Sequence, residues 1–262
     1  MSAVADLRRR TQHALVPIGF GVAFLTVWEL FVRVRHIKPY LLPRPSAIWG
    51  ELHGNAALIR KAVIVSGTNA LVGLLVGIVA GVAVAFAAGH FKIVNRLVTP
   101  MAIAVSAMPI IVIASILYNL ISATSQVPRR LMAAVIVFFV VFVNVAKGLT
   151  QVDRTQTELM RSYAASDVEI LRKVRIPNAL SHFFTALKVA APLAVVTAFV
   201  SEYFGGLQDG LGAKITSNVS NSRDAVAWAY VVGACVLGLL FYGTSVLAER
   251  FAMPWQARRV ER

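Results

Sequence analysis

Two long runs without a charged residue constrain this sequence more than any other feature. Residues 70–88 are nineteen consecutive apolar or glycine residues, and residues 225–248 contain no Asp, Glu, Lys or Arg. At a rise of about 1.5 Å per residue, a helix of either length crosses the roughly 30 Å hydrocarbon core of a bilayer. The chain is therefore expected to be a polytopic membrane protein.

The composition agrees, since 58% of the 262 residues are hydrophobic and only 15% are charged. Backbone groups in lipid must be satisfied within the chain, so each span is predicted to be a helix and the fold class all-α. We expect a single transmembrane domain, residues 1–262, with about six spans. These spans are predicted at about residues 14–32, 63–89, 97–121, 131–147, 181–204 and 225–249.

A formal charge of +14 raises the possibility of nucleic-acid binding. Membrane proteins gather Lys and Arg in loops beside anionic lipid, and no zinc spacing or RNA-binding motif occurs here. Nucleic acid is therefore not expected as a partner. The single Cys235 excludes a disulfide framework. A cleavable signal peptide is not expected, because the first span continues to about Val32 without a small-residue cleavage site.

One polar segment, residues 153–177, interrupts the hydrophobic chain. It contains two Ser/Thr-x-x-Glu patterns, beginning at Thr155 and at Ser166, that are typical of capping boxes. They predict two short helices, at about 156–164 and 167–176, with an apolar edge and a charged rim. Such a unit suits docking into a groove of another protein. Elsewhere, Ser46 is predicted to cap a short surface helix, residues 47–57.

The polar segment resembles the coupling loop of bacterial ABC importer permeases, whose pattern is E-A-A-x3-G-x9-I-x-L-P. The corresponding positions, with every spacing kept, are Glu158, Leu159, Met160, Ala164, Val174, Ile176 and Pro177. The chain departs from the pattern at Ala164, where the family has glycine. If that position is left-handed, alanine costs about 1 kcal/mol there.

Two further segments resemble the sulfonate, nitrate and taurine branch of this family. Residues 41–48 (LLPRPSAI) are similar to its L-P-S-P-S segment, and residues 201–212 (SEYFGGLQDGLG) to its E-M-F-G…G-L-G turn. The stretch 118–130 departs from the branch, which has W-F-G there. The three similar motifs occur in the family's order and extend over most of the chain.

The resemblance implies an importer with a pair of permease subunits, identical or paralogous, a cytoplasmic ABC ATPase dimer and an extracytoplasmic binding protein. It implies a multi-pass protein of the bacterial inner membrane with cytoplasmic termini. ATP and Mg would bind the ATPase and no cofactor this chain, which lacks a G-x-x-x-x-G-K-[ST] motif and is not expected to be an enzyme. The residues it implies for ATPase coupling are Glu158, Leu159, Met160, Ser162, Tyr163, Ala164, Ala165, Ser166 and Asp167.

Polar residues within spans are candidates for a translocation path or for bonds between helices. They are Asn69, Ser115, Asn119, Asn144 and Glu202. Glu202 could instead contact the binding protein or order the turn at 205. A packing face, within one subunit or between two, is predicted at Gly73, Gly77 and Gly81, which recur every four residues.

The main alternative is an ion-coupled carrier or channel that uses no ATPase. Such a protein needs charged residues near the middle of the membrane and no docking loop, and this sequence has the opposite pattern. A membrane enzyme would need clustered His, Asp or Cys near an interface, and no metal site is expected. The sequence favours a permease for a small organic solute: a sulfonate, taurine, nitrate or a vitamin-precursor-like compound.

Overall fold

The computed structural model of the chain describes residues 2–91, 96, 100 and 108–254, with side chains from residue 16 onward. Nine helices lie in these residues, and none of these residues belongs to a β-strand. The helices are α1 (Ser2–Val34), α2 (Pro45–Gly54), α3 (Ala56–His90), α4 (Ile110–Leu120), α5 (Val127–Thr150), α6 (Arg154–Ser162), α7 (Asp167–Phe204), α8 (Leu211–Ser220) and α9 (Asp224–Ala252).

Five of these helices contain stretches long and apolar enough to cross a membrane: Val16–Val34, Ala56–His90, Val127–Thr150, Asp167–Phe204 and Asp224–Ala252. Five of the six predicted spans each lie within one of them. Within the predicted third span, residues 97–99 and 101–107 lie outside the described residues, and its later part forms α4. The predicted all-α membrane fold is confirmed.

The chain divides into two compact units. The first comprises Met1–Ile59 and Ile215–Val231, and the second Arg60–Lys214 and Val232–Arg262. In the first unit, α1 holds the start of α2 through Glu29, which accepts hydrogen bonds from the Ser46 backbone N–H at 3.0 Å and from its hydroxyl at 2.9 Å. The prediction that Ser46 caps a helix over residues 47–57 was wrong. Because α2 begins at Pro45, Ser46 lies inside the helix, and its hydroxyl donates to a carboxylate on α1.

In the second unit, α7 packs along α5 and carries a row of buried alanines. Ala186, Ala190, Ala194 and Ala198 recur every four residues and are all buried. Small side chains at this spacing lie on one helix face and allow a second helix to approach closely. The buried Val137 of α5 belongs to the same core.

The predicted glycine face packs within the same chain, since its three glycines, Gly73, Gly77 and Gly81 of α3, lie against α5. A Cβ built on Gly77 would lie 2.6 Å from the carbonyl oxygen of Ala134 and 2.7 Å from Cβ of Val137. One built on Gly81 would lie 2.9 Å from the carbonyl oxygen of Phe138, and Gly73 is similarly close to Ala133. At these positions α3 can carry only hydrogen as a side chain.

We predict that Gly77→Ala lowers the thermal unfolding temperature of the purified protein, because the added methyl group forces α3 and α5 apart. Overpacking of this kind costs about 1–3 kcal/mol. The matched control is Gly238→Ala, since a Cβ on Gly238 in α9 meets no atom within 4 Å. Alanine is the better helix former, so the control is expected to leave the midpoint unchanged or raise it. Equal midpoints for the two variants would contradict the close packing.

Candidate functional site

The polar segment begins with helix α6, whose first turn is capped by Asp153. The Asp153 carboxylate accepts a hydrogen bond from the backbone N–H of Thr155 at 2.9 Å. The predicted capping box from Thr155 to Glu158, and the predicted helix at 156–164, were therefore wrong in register. Asp153, two residues before Thr155, caps the first helical turn, so the helix begins at Arg154 and Thr155 lies inside it.

The second capping box, at Ser166, is confirmed. The Ser166 hydroxyl accepts from the Glu169 backbone N–H at 3.3 Å, and the Glu169 carboxylate accepts from the Ser166 N–H at 2.9 Å. The predicted end of this helix at residue 176 was wrong. The chain passes through a π-helical turn, Leu171–Arg175, in which the Ile176 N–H donates to the Leu171 carbonyl, and continues as α7 to Phe204.

Pro177 did not end the helix because it lies at the start of the second α-helical stretch of α7, which follows the π turn. Pro177 is the second residue of the stretch Ile176–Phe204, directly after the π turn. Proline is tolerated in a first helical turn, where a backbone N–H has no partner to lose. Helix α7 therefore runs without a break from the polar segment to Phe204.

Between the two helices, Ala164 takes the left-handed conformation that the family's glycine suggested. Its φ is +55°. The Ala165 N–H donates to the Met160 carbonyl at 3.0 Å and the Ala164 N–H to the Arg161 carbonyl at 2.9 Å. These two bonds form a Schellman motif, whose left-handed residue is usually glycine. The Ser162 hydroxyl closes the same turn by donating to the Leu159 carbonyl at 2.7 Å.

Three large apolar side chains of this segment are more than half exposed. Leu159 is 55% exposed, Tyr163 directly after α6 is 77% exposed, and Val168 in the first turn of α7 is 70% exposed. We call these three residues the docking surface. Exposed Asp167 and the ion pair between Lys173 and Glu169 lie beside it in the sequence, whereas Met160 and Ala165 are half-buried.

Glu158 lies on a different side of α6. It lines a groove together with Arg154, Arg161 and Arg175. Of the predicted coupling residues, Leu159 and Tyr163 therefore belong to the docking surface and Glu158 to this groove.

At its other end, α7 enters a cluster of buried polar side chains. The Glu202 carboxylate accepts from the Ser66 hydroxyl at 2.7 Å and from the Gly212 N–H at 3.1 Å, and lies 3.7 Å from the Arg129 guanidinium. Arg129 is bound to Asp209 at 2.7 Å and donates to the Leu207 carbonyl. Since both Arg129 and Glu202 have fully buried side chains, each needs the other's charge.

A chain of amides extends the cluster to α3. The Gln126 side chain donates to Asp209 at 2.7 Å and accepts from Asn69 at 2.7 Å, and Arg130 donates to Asn69 at 3.0 Å. Gly210 has no room for a side chain because a Cβ there would collide with the Glu202 carboxylate. We call Ser66, Asn69, Gln126, Arg129, Arg130, Glu202 and Asp209 the buried polar cluster.

The structure thus brings two of the five predicted path residues, Asn69 and Glu202, into one cluster. Ser115 and Asn119 lie one turn apart on an exposed face of α4, where Asn119 donates to the Ser115 carbonyl at 2.9 Å. Asn144 is half-buried and donates to the Val140 carbonyl. Their role in a path stays a prediction.

Sequence reasoning missed Arg129, which it assigned to a loop. A pair of arginines at the start of an apolar run resembles an interfacial anchor, and only the distant carboxylates Glu202 and Asp209 explain why Arg129 is buried. The acidic residues at 202 and 209, spaced around a glycine-rich turn, were the available signal.

We predict that Arg129→Met lowers stability by about 3–5 kcal/mol, because it leaves the buried Glu202 carboxylate without a cation. The measurement is thermal or denaturant unfolding in detergent. Lys188→Met is the matched control: Lys188 pairs with Glu249 at 2.9 Å, but these side chains are 29% and 23% exposed. Removing this pair is expected to cost about 1 kcal/mol or less. If the control costs as much as Arg129→Met, the cluster does not hold the helix ends together.

We also predict that Ala164→Gly stabilises the turn by about 1 kcal/mol, because glycine adopts positive φ without strain. Amide hydrogen exchange at residues 164 and 165, whose N–H groups form the Schellman bonds, should slow roughly five-fold. Ala165→Gly, one residue outside the left-handed position, should leave exchange unchanged or accelerate it. Faster exchange in Ala164→Gly would contradict this account of the turn.

Residues 73–254 match the model of the family described as "Binding-protein-dependent transport system inner membrane component". The chain is 26% identical over 252 residues to the formylaminopyrimidine transport permease protein ThiX of Halalkalibacterium halodurans, covering 96% of this chain and 100% of that protein. It is 23% identical to the taurine transport system permease protein TauC of Escherichia coli, covering 94% and 91% of the two chains.

A solved structure shares the fold. The crystal structure of an amino acid ABC transporter with histidines superposes with a TM-score of 0.65 at 17% identity, covering 75% of this chain and 95% of that chain. The region matched by the family model, residues 73–254, includes the docking surface, α7 and five of the seven residues of the buried polar cluster. This chain therefore belongs to the binding-protein-dependent transport system inner membrane component family, the permeases of ABC transporters.

Proposed function

We propose that this chain is the transmembrane subunit of an ABC importer, forms the translocation pathway and couples it to a cytoplasmic ATPase. The observation that carries the proposal is the docking surface: three exposed apolar side chains in the polar segment, residues 153–177, around a capped, ordered turn. Apolar side chains of this size on an ordered polar segment favour burial against a partner protein.

The coupling follows from the continuity of α7. A force applied at the docking surface enters the first turn of α7, whose helical hydrogen bonds extend to Glu202. The π turn at Leu171–Arg175 and Pro192 are the points within this helix where regular bonding changes. Closure of an ATPase dimer against the polar segment would move α7 and the helices packed on it.

The proposed topology follows from the position of the ATPase. An ATPase is cytoplasmic, so the polar segment and both termini face the cytoplasm of a bacterial inner membrane. ATP and Mg bind to the ATPase, and this subunit makes and breaks no bonds. A second permease subunit, identical or paralogous, and an extracytoplasmic binding protein complete the importer.

The proposed substrate is a small organic solute. Formylaminopyrimidine and taurine are named for the two permeases above, and riboflavin for the permease RibX of Chloroflexus aurantiacus, which is 24% identical over 259 residues. Sulfonate, taurine, nitrate and vitamin-precursor-like compounds are accordingly the first to assay.

The test is co-purification of this chain with its candidate ATPase. Leu159→Glu combined with Tyr163→Glu should weaken the complex by ten-fold or more and abolish substrate-stimulated ATP hydrolysis, because the apolar anchors of an interface carry most of its energy. Leu41→Glu is the control, since Leu41 is similarly exposed, at 68%, in the turn after α1. If the double variant assembles and hydrolyses ATP like the control, the coupling proposal is abandoned.

A further inference from the structure

The groove on the other side of α6 is lined by positive charge. It has a volume of about 290 Å³ and lies among the end of α5, helix α6 and the π turn of α7. The polar residues that line it are Thr150, Arg154, Thr157, Glu158, Arg161 and Arg175. We call it the arginine groove.

The arginines of the groove have no partner among the described residues: none of the guanidinium groups of Arg154, Arg161 and Arg175 has a hydrogen bond or ion pair there. Among the described residues that line the groove, Glu158 is the one acidic residue, so with the three arginines it leaves a net charge of +2. The net positive charge of the arginine groove favours an anionic ligand.

The position of the groove indicates where that ligand comes from. Thr150 is the last residue of the apolar helix α5, and Arg175 directly precedes the apolar stretch Ile176–Phe204. The groove therefore lies at the boundary between hydrocarbon and water, at the level of lipid headgroups. The threonine hydroxyls already donate to the carbonyls of Ala146 and Asp153, which leaves the guanidinium groups as the free donors.

We propose that the arginine groove binds the phosphate group of an anionic phospholipid through Arg154, Arg161 and Arg175. The planar guanidinium group presents paired N–H donors that match two phosphate oxygens, and clusters of such residues beside a membrane attract anionic lipid. Glu158 opposes the bound phosphate and limits its affinity. The site lies on the same segment as the docking surface but requires no ATPase.

The test measures lipid binding to the purified full-length chain in dodecyl maltoside by native mass spectrometry, with phosphatidylglycerol and with phosphatidylcholine. Arg161→Gln combined with Arg175→Gln should weaken phosphatidylglycerol binding about ten-fold or more, because two charge-assisted contacts are lost. Glu158→Gln should strengthen it. Arg172→Gln combined with Lys173→Gln is the matched control: it removes the same charge from the same segment, outside the groove lining, and should leave binding unchanged.

Three results would overturn the proposal: binding unaffected by the groove variant, an equal loss in the control, or no preference for phosphatidylglycerol over phosphatidylcholine. Inorganic phosphate and ATP are tested as competitors, and displacement of the lipid by either at low millimolar concentration would mean that a free phosphate is the ligand. If the double variant unfolds, Arg161→Gln alone replaces it. Because the assay contains no ATPase, its result is independent of the co-purification test.

Discussion

A charge removed from water is stable only when an opposite charge and hydrogen-bond donors replace its hydration, and Glu202 and Arg129 impose that requirement on this chain. Oε2 of Glu202 accepts hydrogen bonds from Ser66 of α3 and from the N–H of Gly212 in α8, and Oε1 lies 3.7 Å from Arg129 of α5. Arg129 also reaches Asp209 in the loop between α7 and α8. The contacts of one buried carboxylate therefore connect four helices, and Gly210 is glycine because the Glu202 carboxylate fills the space of its side chain.

Helix α7 connects the buried polar cluster to the polar segment. Helix α7 packs on α5 and buries alanines at four-residue intervals, and α3 packs on α5 through glycines at the same interval. Without a hydrophobic driving force between helices in lipid, close approach of small residues supplies the packing energy. The result is a tightly packed group of helices at whose polar end the docking surface and the arginine groove lie on different sides of α6.

Parts of this arrangement were predictable from the sequence, and the reasons are local. The spans follow from hydropathy, and the capping box at Ser166 and Glu169 follows from residues three apart. The left-handed turn at Ala164 was expected only through the family pattern. The wrong predictions in the polar segment concern the residues at which its helices begin and end. Asp153 rather than Thr155 caps α6, and a π turn lets α7 continue past Pro177. Neither choice changes the hydrophobic pattern, so the pattern could not decide it.

The sequence by itself determined that this chain is a helical membrane protein with one ordered polar segment, because hydrocarbon excludes charge and unpaired backbone wherever the chain crosses it. Only the tertiary structure decided which charges are buried and which remain free. Arg129 and Arg175 each lie at the start of an apolar stretch. Carboxylates 73 and 80 residues away along the chain neutralise Arg129, and no described residue forms an ion pair with Arg175. That difference depends on contacts distant in sequence, which helix packing alone brings together.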